Sequence, residues 1–179
     1  MPRLKKLDKS QGSPKSQEMM ADLESKKLLL NIFRGMANSP AVLDAYLKFS
    51  GALKEGKLDG KTREAIALVI SQANRCDYCL AAHTVIGKGA GLDDKAVHDA
   101  RLGRSSDRKT GAAVALAQKV LSSKGNISDS DASAARTAGL DDGEIAEVVA
   151  NVVLTLFTNY FNHVNQTEVD FPKVPVDIA

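Results

Sequence analysis

The sequence predicts an all-α protein, a single-domain bundle of about seven to eight helices. Three observations carry this expectation. Apolar residues recur at helical spacing through almost the whole chain after residue 17, a pattern that suits helices better than alternating strands. The breaks between these segments hold helix-stopping and helix-capping residues. At 179 residues the chain fits one domain, large enough to bury a core without disulfide staples.

Residues 1–16 carry Arg3, Lys5, Lys6, Lys9 and Lys15 against the single acid Asp8. They read as a basic, flexible arm, either solvated or laid across a neighbouring subunit. The all-α domain is expected over 17–168. Met19, Met20, Leu23, Leu28, Leu30, Ile32 and Phe33 predict one helix over 16–36, stopped at Asn38-Ser39-Pro40. Ser39 as cap and Pro40 in the first turn then start a second helix that carries Val42, Leu43, Tyr46, Leu47 and Phe49. Glycines and charges make 54–60 a loop. A third helix over 61–74 places Ala65, Ile66, Leu68, Val69 and Ile70 inside, with Glu64 in its first turn.

Further helices are expected near 77–89, 93–102, 107–124, 128–138 and 142–164. The pentapeptide Ala-Gly-Leu-Asp-Asp occurs at 90–94 and again at 138–142. It describes a helix joint: the glycine ends one helix in the left-handed conformation, the leucine folds back, and an aspartate caps the next helix. The last helix, from Ile145 to Phe161, is apolar over most of its circumference. Either it runs through the middle of the bundle or another copy of the chain covers one face, so a homo-oligomer is expected. Residues 169–179, with Pro172 and Pro175, form an extended C-terminal strap.

With 24 basic and 22 acidic side chains, the net charge of +2 points neither to nucleic acid nor to a membrane surface. No aromatic residue is interleaved with the basic arm to stack on bases. No apolar run approaches the roughly 20 residues that span a bilayer, and the N-terminus lacks the apolar segment of a secretory signal. The expected location is cytoplasmic, where a CxxC is more often catalytic or metal-binding than a permanent crosslink.

Both cysteines of the chain lie in Cys76-Asp77-Tyr78-Cys79. At a helix start this spacing puts the two side chains on one face, close enough to form and break a disulfide without refolding. The helix dipole and the free amides of the first turn favour a thiolate, the reactive form. His83 stands one turn above Cys79, where its imidazole can take the thiol proton or pair with the anion. Glu64, on the preceding helix, is placed to orient that imidazole. The Tyr78 hydroxyl can pass a hydrogen bond but is no base near neutral pH.

Glu64, eleven intervening residues, Cys76, two more, Cys79, three more and His83, in an all-helical chain, resemble the alkylhydroperoxidase D-like branch of the carboxymuconolactone decarboxylase family. The likeness is clearest over about 40–125. It implies an all-α, oligomeric oxidoreductase in which Cys79 attacks a hydroperoxide and Cys76 resolves the sulfenic acid as a disulfide. Glu64 and His83 would form the proton relay. No bound cofactor is needed, and the implied reductant is an external dithiol, a lipoyl protein or a thioredoxin-like protein. Tyr78 stands where alkylhydroperoxidase D itself has a histidine, as it does in the peroxidase-related members of the branch.

Two other readings start from the same residues. In one, Cys76, Cys79 and His83 bind a metal with Glu64 or His98 as fourth ligand, although structural zinc sites usually bring a second ligand pair. In the other, a redox-sensitive interaction protein changes its assembly when the disulfide closes. A carboxymuconolactone decarboxylase-type reaction does not require the dithiol. His163 reads as a helix-end cap, or as a wall of the site together with Asn159, Asn162 and Asn165.

Overall fold

The computed structural model describes residues 1–178, so position 179 of the expected strap lies outside the described residues. The described residues form nine helices and no strand. They are α1 (Pro14–Ser25), α2 (Asn31–Met36), α3 (Pro40–Lys54), α4 (Gly60–Ala73), α5 (Asp77–Gly89), α6 (Asp94–Arg101), α7 (Arg108–Ser122), α8 (Asp129–Thr137) and α9 (Asp142–Asn165).

Local chemistry sets most boundaries. Aspartates cap α4, α6, α7 and α9 by accepting the backbone N–H of the third helical residue, and Ser128 does the same for α8. The repeated pentapeptide works as its sequence suggests. Gly91 and Gly139 take φ of 98° and 108°, Leu92 and Leu140 bond back to Gly87 and Ala135, and Asp93 and Asp141 cap the following helices.

The expected single helix over 16–36 is two helices, which accounts for a ninth element. Lys27 adopts the left-handed conformation at φ 57°, and Leu28 N–H bonds back to the Leu23 carbonyl, which closes α1. Leu28-Leu29-Leu30 then forms a link. No side chain of that link caps α2; the Asp170 carboxylate accepts the Asn31 N–H from 139 residues away. At the other end, α1 starts inside the basic arm, with Ser13 as cap and Pro14 in the first turn. Residues 3–7 lie along the bundle: Arg3 N–H bonds the Asn165 carbonyl, and Leu7 is buried.

Helix α4 is the central element, flanked by α5, α6, α7 and α9. Every residue from Ala65 to Ser71 is buried. Its apolar faces join α7 and α9 in one core, where Leu68, Val114 and Val148 are fully enclosed. A second core gathers α1, α2, α3 and the start of α5 around Met20, Met36 and Leu43. Cys76, Tyr78 and Cys79 belong to this second core, with Val169 and Phe171 of the strap packed against it. The outer face of α9 exposes Val149, Val153, Phe157, Tyr160 and Val164, and Phe49 of α3 is also exposed. No helix among the described residues is long and apolar enough to cross a membrane.

Candidate active site

The cysteines are delivered by a tight elbow. Helix α4 ends with Arg75 in the left-handed conformation at φ 54°. Arg75 N–H bonds the Gln72 carbonyl and Cys76 N–H bonds that of Ser71, the paired bonds of a Schellman ending. Cys76 therefore closes α4 and caps α5 at once, and its sulfur accepts the Cys79 N–H at 3.4 Å. Ring and strap secure the elbow from outside. His163 Nε2 bonds the Asn74 carbonyl at 2.9 Å, Arg75 pairs with Asp177, and Gln72 donates to the Val176 carbonyl.

Cys76 and Cys79 are joined as a disulfide, with alpha carbons 5.3 Å apart and residues only 1% and 2% exposed. The dithiol spacing inferred from the sequence is thus realised at a helix N-terminus. Asn162 of α9 donates Nδ2–H to the Cys79 sulfur at 3.3 Å. The Asn162 side-chain carbonyl is buried and has no hydrogen-bond partner among the described residues.

Glu64 and His83 meet as expected, with Oε2 2.8 Å from Nδ1. Glu64 sits in the second turn of α4 rather than the first, because the helix begins at Gly60. It therefore has no helix-capping role, and its carboxylate faces α5. Both side chains line a cavity of about 260 Å³ between α3, α4, α5 and α9, whose walls include Phe33, Tyr46, Leu47 and Leu154. Burial, with the Glu64 carboxylate adding to it, holds the Tyr46 hydroxyl above its ordinary value. Thr155 and Thr158 of α9 also line the cavity, and Asn162 follows one turn beyond Thr158. Cys79 does not itself line the cavity; it sits one turn before His83 and beside Asn162.

Tyr78 is turned elsewhere. Its hydroxyl donates to Asp170 at 2.6 Å, and its ring meets Phe171 edge-on, 6.0 Å between centroids. Burial, and then the Asp170 carboxylate, push its ionisation far above the ordinary tyrosine range. His98 lies on α6 beside Asp99, away from the dithiol. Among the described residues no group of three or more His, Cys, Asp or Glu side chains is arranged to hold a metal ion. Asp170 and Tyr46 carried no local signal in the sequence. Asn162 did, in the asparagine triplet of α9, although it meets the sulfur and His163 does not line the cavity.

Fold and site together describe an all-α bundle with a buried CxxC disulfide and a glutamate–histidine pair one turn above it. Residues 40–122, which hold all four of these side chains, match the carboxymuconolactone decarboxylase family. The matched segment runs from the start of α3 to the end of α7 and covers less than half of the chain. An uncharacterized peroxidase-related protein of Ralstonia eutropha with an alkylhydroperoxidase AhpD core superposes with a TM-score of 0.85 at 20% identity, over 94% of this chain and 92% of that one. The debrominase Bmp8, crystallised as a variant with 2,3,4-tribromopyrrole, gives a TM-score of 0.78 at 18% identity, over 95% and 92%. At such identities the likeness establishes the fold. In sequence, an uncharacterized protein of Haemophilus influenzae is 47% identical over 45 residues, 25% of this chain and 40% of that protein, so the match spans less than half of the relative.

Proposed function

We propose that the protein is a dithiol-dependent peroxidase that reduces hydroperoxides through Cys79 and Cys76. The observation that carries this reading is the coincidence of a disulfide at a helix N-terminus with a Glu64–His83 pair that opens to the adjoining cavity. In the reduced enzyme the Cys79 thiolate attacks the distal peroxide oxygen. The O–O bond breaks, an S–O bond forms, and the alkoxide leaves with a proton from His83, which Glu64 orients. Cys76 then displaces the hydroxyl of the Cys79 sulfenic acid, water departs, and the disulfide closes. An external dithiol, on a lipoyl or thioredoxin-like partner, returns both thiols. Tyr78 acts here as an anchor for the strap, since its hydroxyl is committed to Asp170.

The apolar stripe on α9 joins Phe49 and Val42 of α3 in an apolar groove. We assign it to contact between copies of the chain, which gives the homo-oligomer expected from the sequence.

The test is peroxide consumption by the reduced protein with dithiothreitol or dihydrolipoamide. Wild type is expected to turn over an organic hydroperoxide, and Cys79→Ser is expected to be inactive. No turnover with hydrogen peroxide or any organic hydroperoxide would remove the reading. A parallel assay with 2,3,4-tribromopyrrole decides whether the dithiol instead delivers its two electrons to a carbon–bromine bond, the chemistry named for the debrominase with this fold.

A further inference from the structure

Three asparagines recur at spacing three along the inner face of α9, and all are buried. Two of them are spent on structure. Asn159 donates to the Ser71 hydroxyl and accepts from Asn74. Asn165 donates to Thr167 and accepts the Leu4 N–H. Asn162 differs: its donor is given to a sulfur, which is a weak acceptor in a disulfide, and its carbonyl oxygen has no donor among the described residues. The residue is 5% exposed. An unpaired buried acceptor is a cost to the folded state, and a leucine of similar volume would avoid it.

The arrangement makes sense once the sulfur changes state. A thiolate is a strong acceptor, and an N–H at this position would give it a charge-assisted hydrogen bond. A sulfenic acid carries an O–H, and the free carbonyl belongs to the same carboxamide whose Nδ2 is 3.3 Å from that sulfur. We infer that Asn162 is a positioning residue for Cys79, its Nδ2–H holding the thiolate and its Oδ1 receiving the O–H of the sulfenic acid. The inference rests on the peroxidase reading for its second half alone. The O–H that Oδ1 receives is formed when the peroxide O–O bond breaks, the Cys79 sulfur is oxidised by two electrons, and the alcohol departs. The hydroxyl leaves later as water when Cys76 displaces it. The first half needs only a thiol.

The experiment uses Cys76→Ser protein, in which Cys79 is the sole cysteine. The Cys79 pKa is read from the pH dependence of iodoacetamide alkylation, with and without Asn162→Leu. The substitution is expected to raise that pKa by about one unit, a tenfold change in thiolate population below it. It is also expected to shorten the sulfenic acid, trapped with dimedone after a peroxide pulse, several-fold. In the oxidised two-cysteine protein, the same substitution is expected to leave Tm unchanged or raised. An unmoved alkylation pKa with a native circular dichroism spectrum overturns the inference. Should Asn162→Leu fail to fold, Asn162→Ser is read by the same titration against the same criterion. Alkylation needs no peroxide, so a protein that shows the pKa shift but never forms a sulfenic acid would refute the peroxidase reading while leaving the thiolate contact standing.

Discussion

Replacing Glu64 with glutamine tests the relay with little change of shape. The side chain keeps its length and its ability to bond His83, but it loses the charge. A hydrogen bond to a charged partner contributes about 1.5–3 kcal/mol. Here the His83 and Glu64 side chains remain 22% and 17% exposed, and solvent screening places the pair at the low end, about 1.5 kcal/mol. Glutamine keeps a neutral hydrogen bond, so the charge accounts for about 1 kcal/mol of that interaction. If the charge acts when His83 works on the reacting thiol and peroxide, its loss slows the step about fivefold, at roughly 1.4 kcal/mol per factor of ten. The assay is single-turnover oxidation of pre-reduced protein by an organic hydroperoxide in a stopped-flow instrument. Thermal unfolding of the same sample shows that the fold is intact. Glu64→Gln that reacts within twofold of wild type would refute the relay, because the carboxylate would then be a structural partner of His83 and no more.

Further consequences follow from other parts of the molecule. Gly139→Ala places a side chain at φ 108° with open space around it, so backbone strain alone should lower stability by about 1–2 kcal/mol, read as a fall in Tm of a few degrees; an unchanged Tm would remove the assigned role of that turn. Asp170→Ala removes the acceptor of Tyr78, so in absorbance titration one tyrosine should ionise at lower pH than in wild type, and Tyr78→Phe should abolish that difference. Val153→Glu on the exposed stripe of α9 should shift sedimentation toward monomer; unchanged association would place the interface elsewhere. Asp107 is held below its ordinary value of 3.8 chiefly by the Thr110 N–H, and Glu144 below 4.5 chiefly by the Lys109 ammonium. Both depressed groups stabilise the fold fully above those ordinary values and lose that contribution as pH falls through the lower folded ones. Tm should therefore hold down to about pH 5 and drop below about pH 4. A main loss between pH 7 and 5 would contradict this.

What the sequence disclosed was the chemistry that acts over short distances. Asp93, Asp107, Ser128 and Asp141 each accept a backbone N–H three residues downstream, and the starts of α6 to α9 were legible for that reason. Cys76, Cys79 and His83 share one helix face, so their juxtaposition followed from spacing. The helix break at Lys27 was hidden because its signal is a left-handed lysine and its downstream cap is supplied by Asp170, far along the chain. The same distance concealed the partner of Tyr78, whose hydroxyl looks available in the sequence and is committed to the strap in the fold. Asn162 stood out only as one of three similar residues. Its separate character depends on which sulfur and which carbonyl lie next to it, and no periodicity encodes that.

In the proposed cycle Cys79 attacks and Cys76 resolves. The most direct measurement is mass spectrometry of dimedone-trapped protein after a short pulse of organic hydroperoxide, on Cys76→Ser and Cys79→Ser side by side. A stoichiometric adduct is expected on Cys79 in Cys76→Ser and none in Cys79→Ser. An adduct on Cys76 in Cys79→Ser, or equal labelling of both variants, would contradict it.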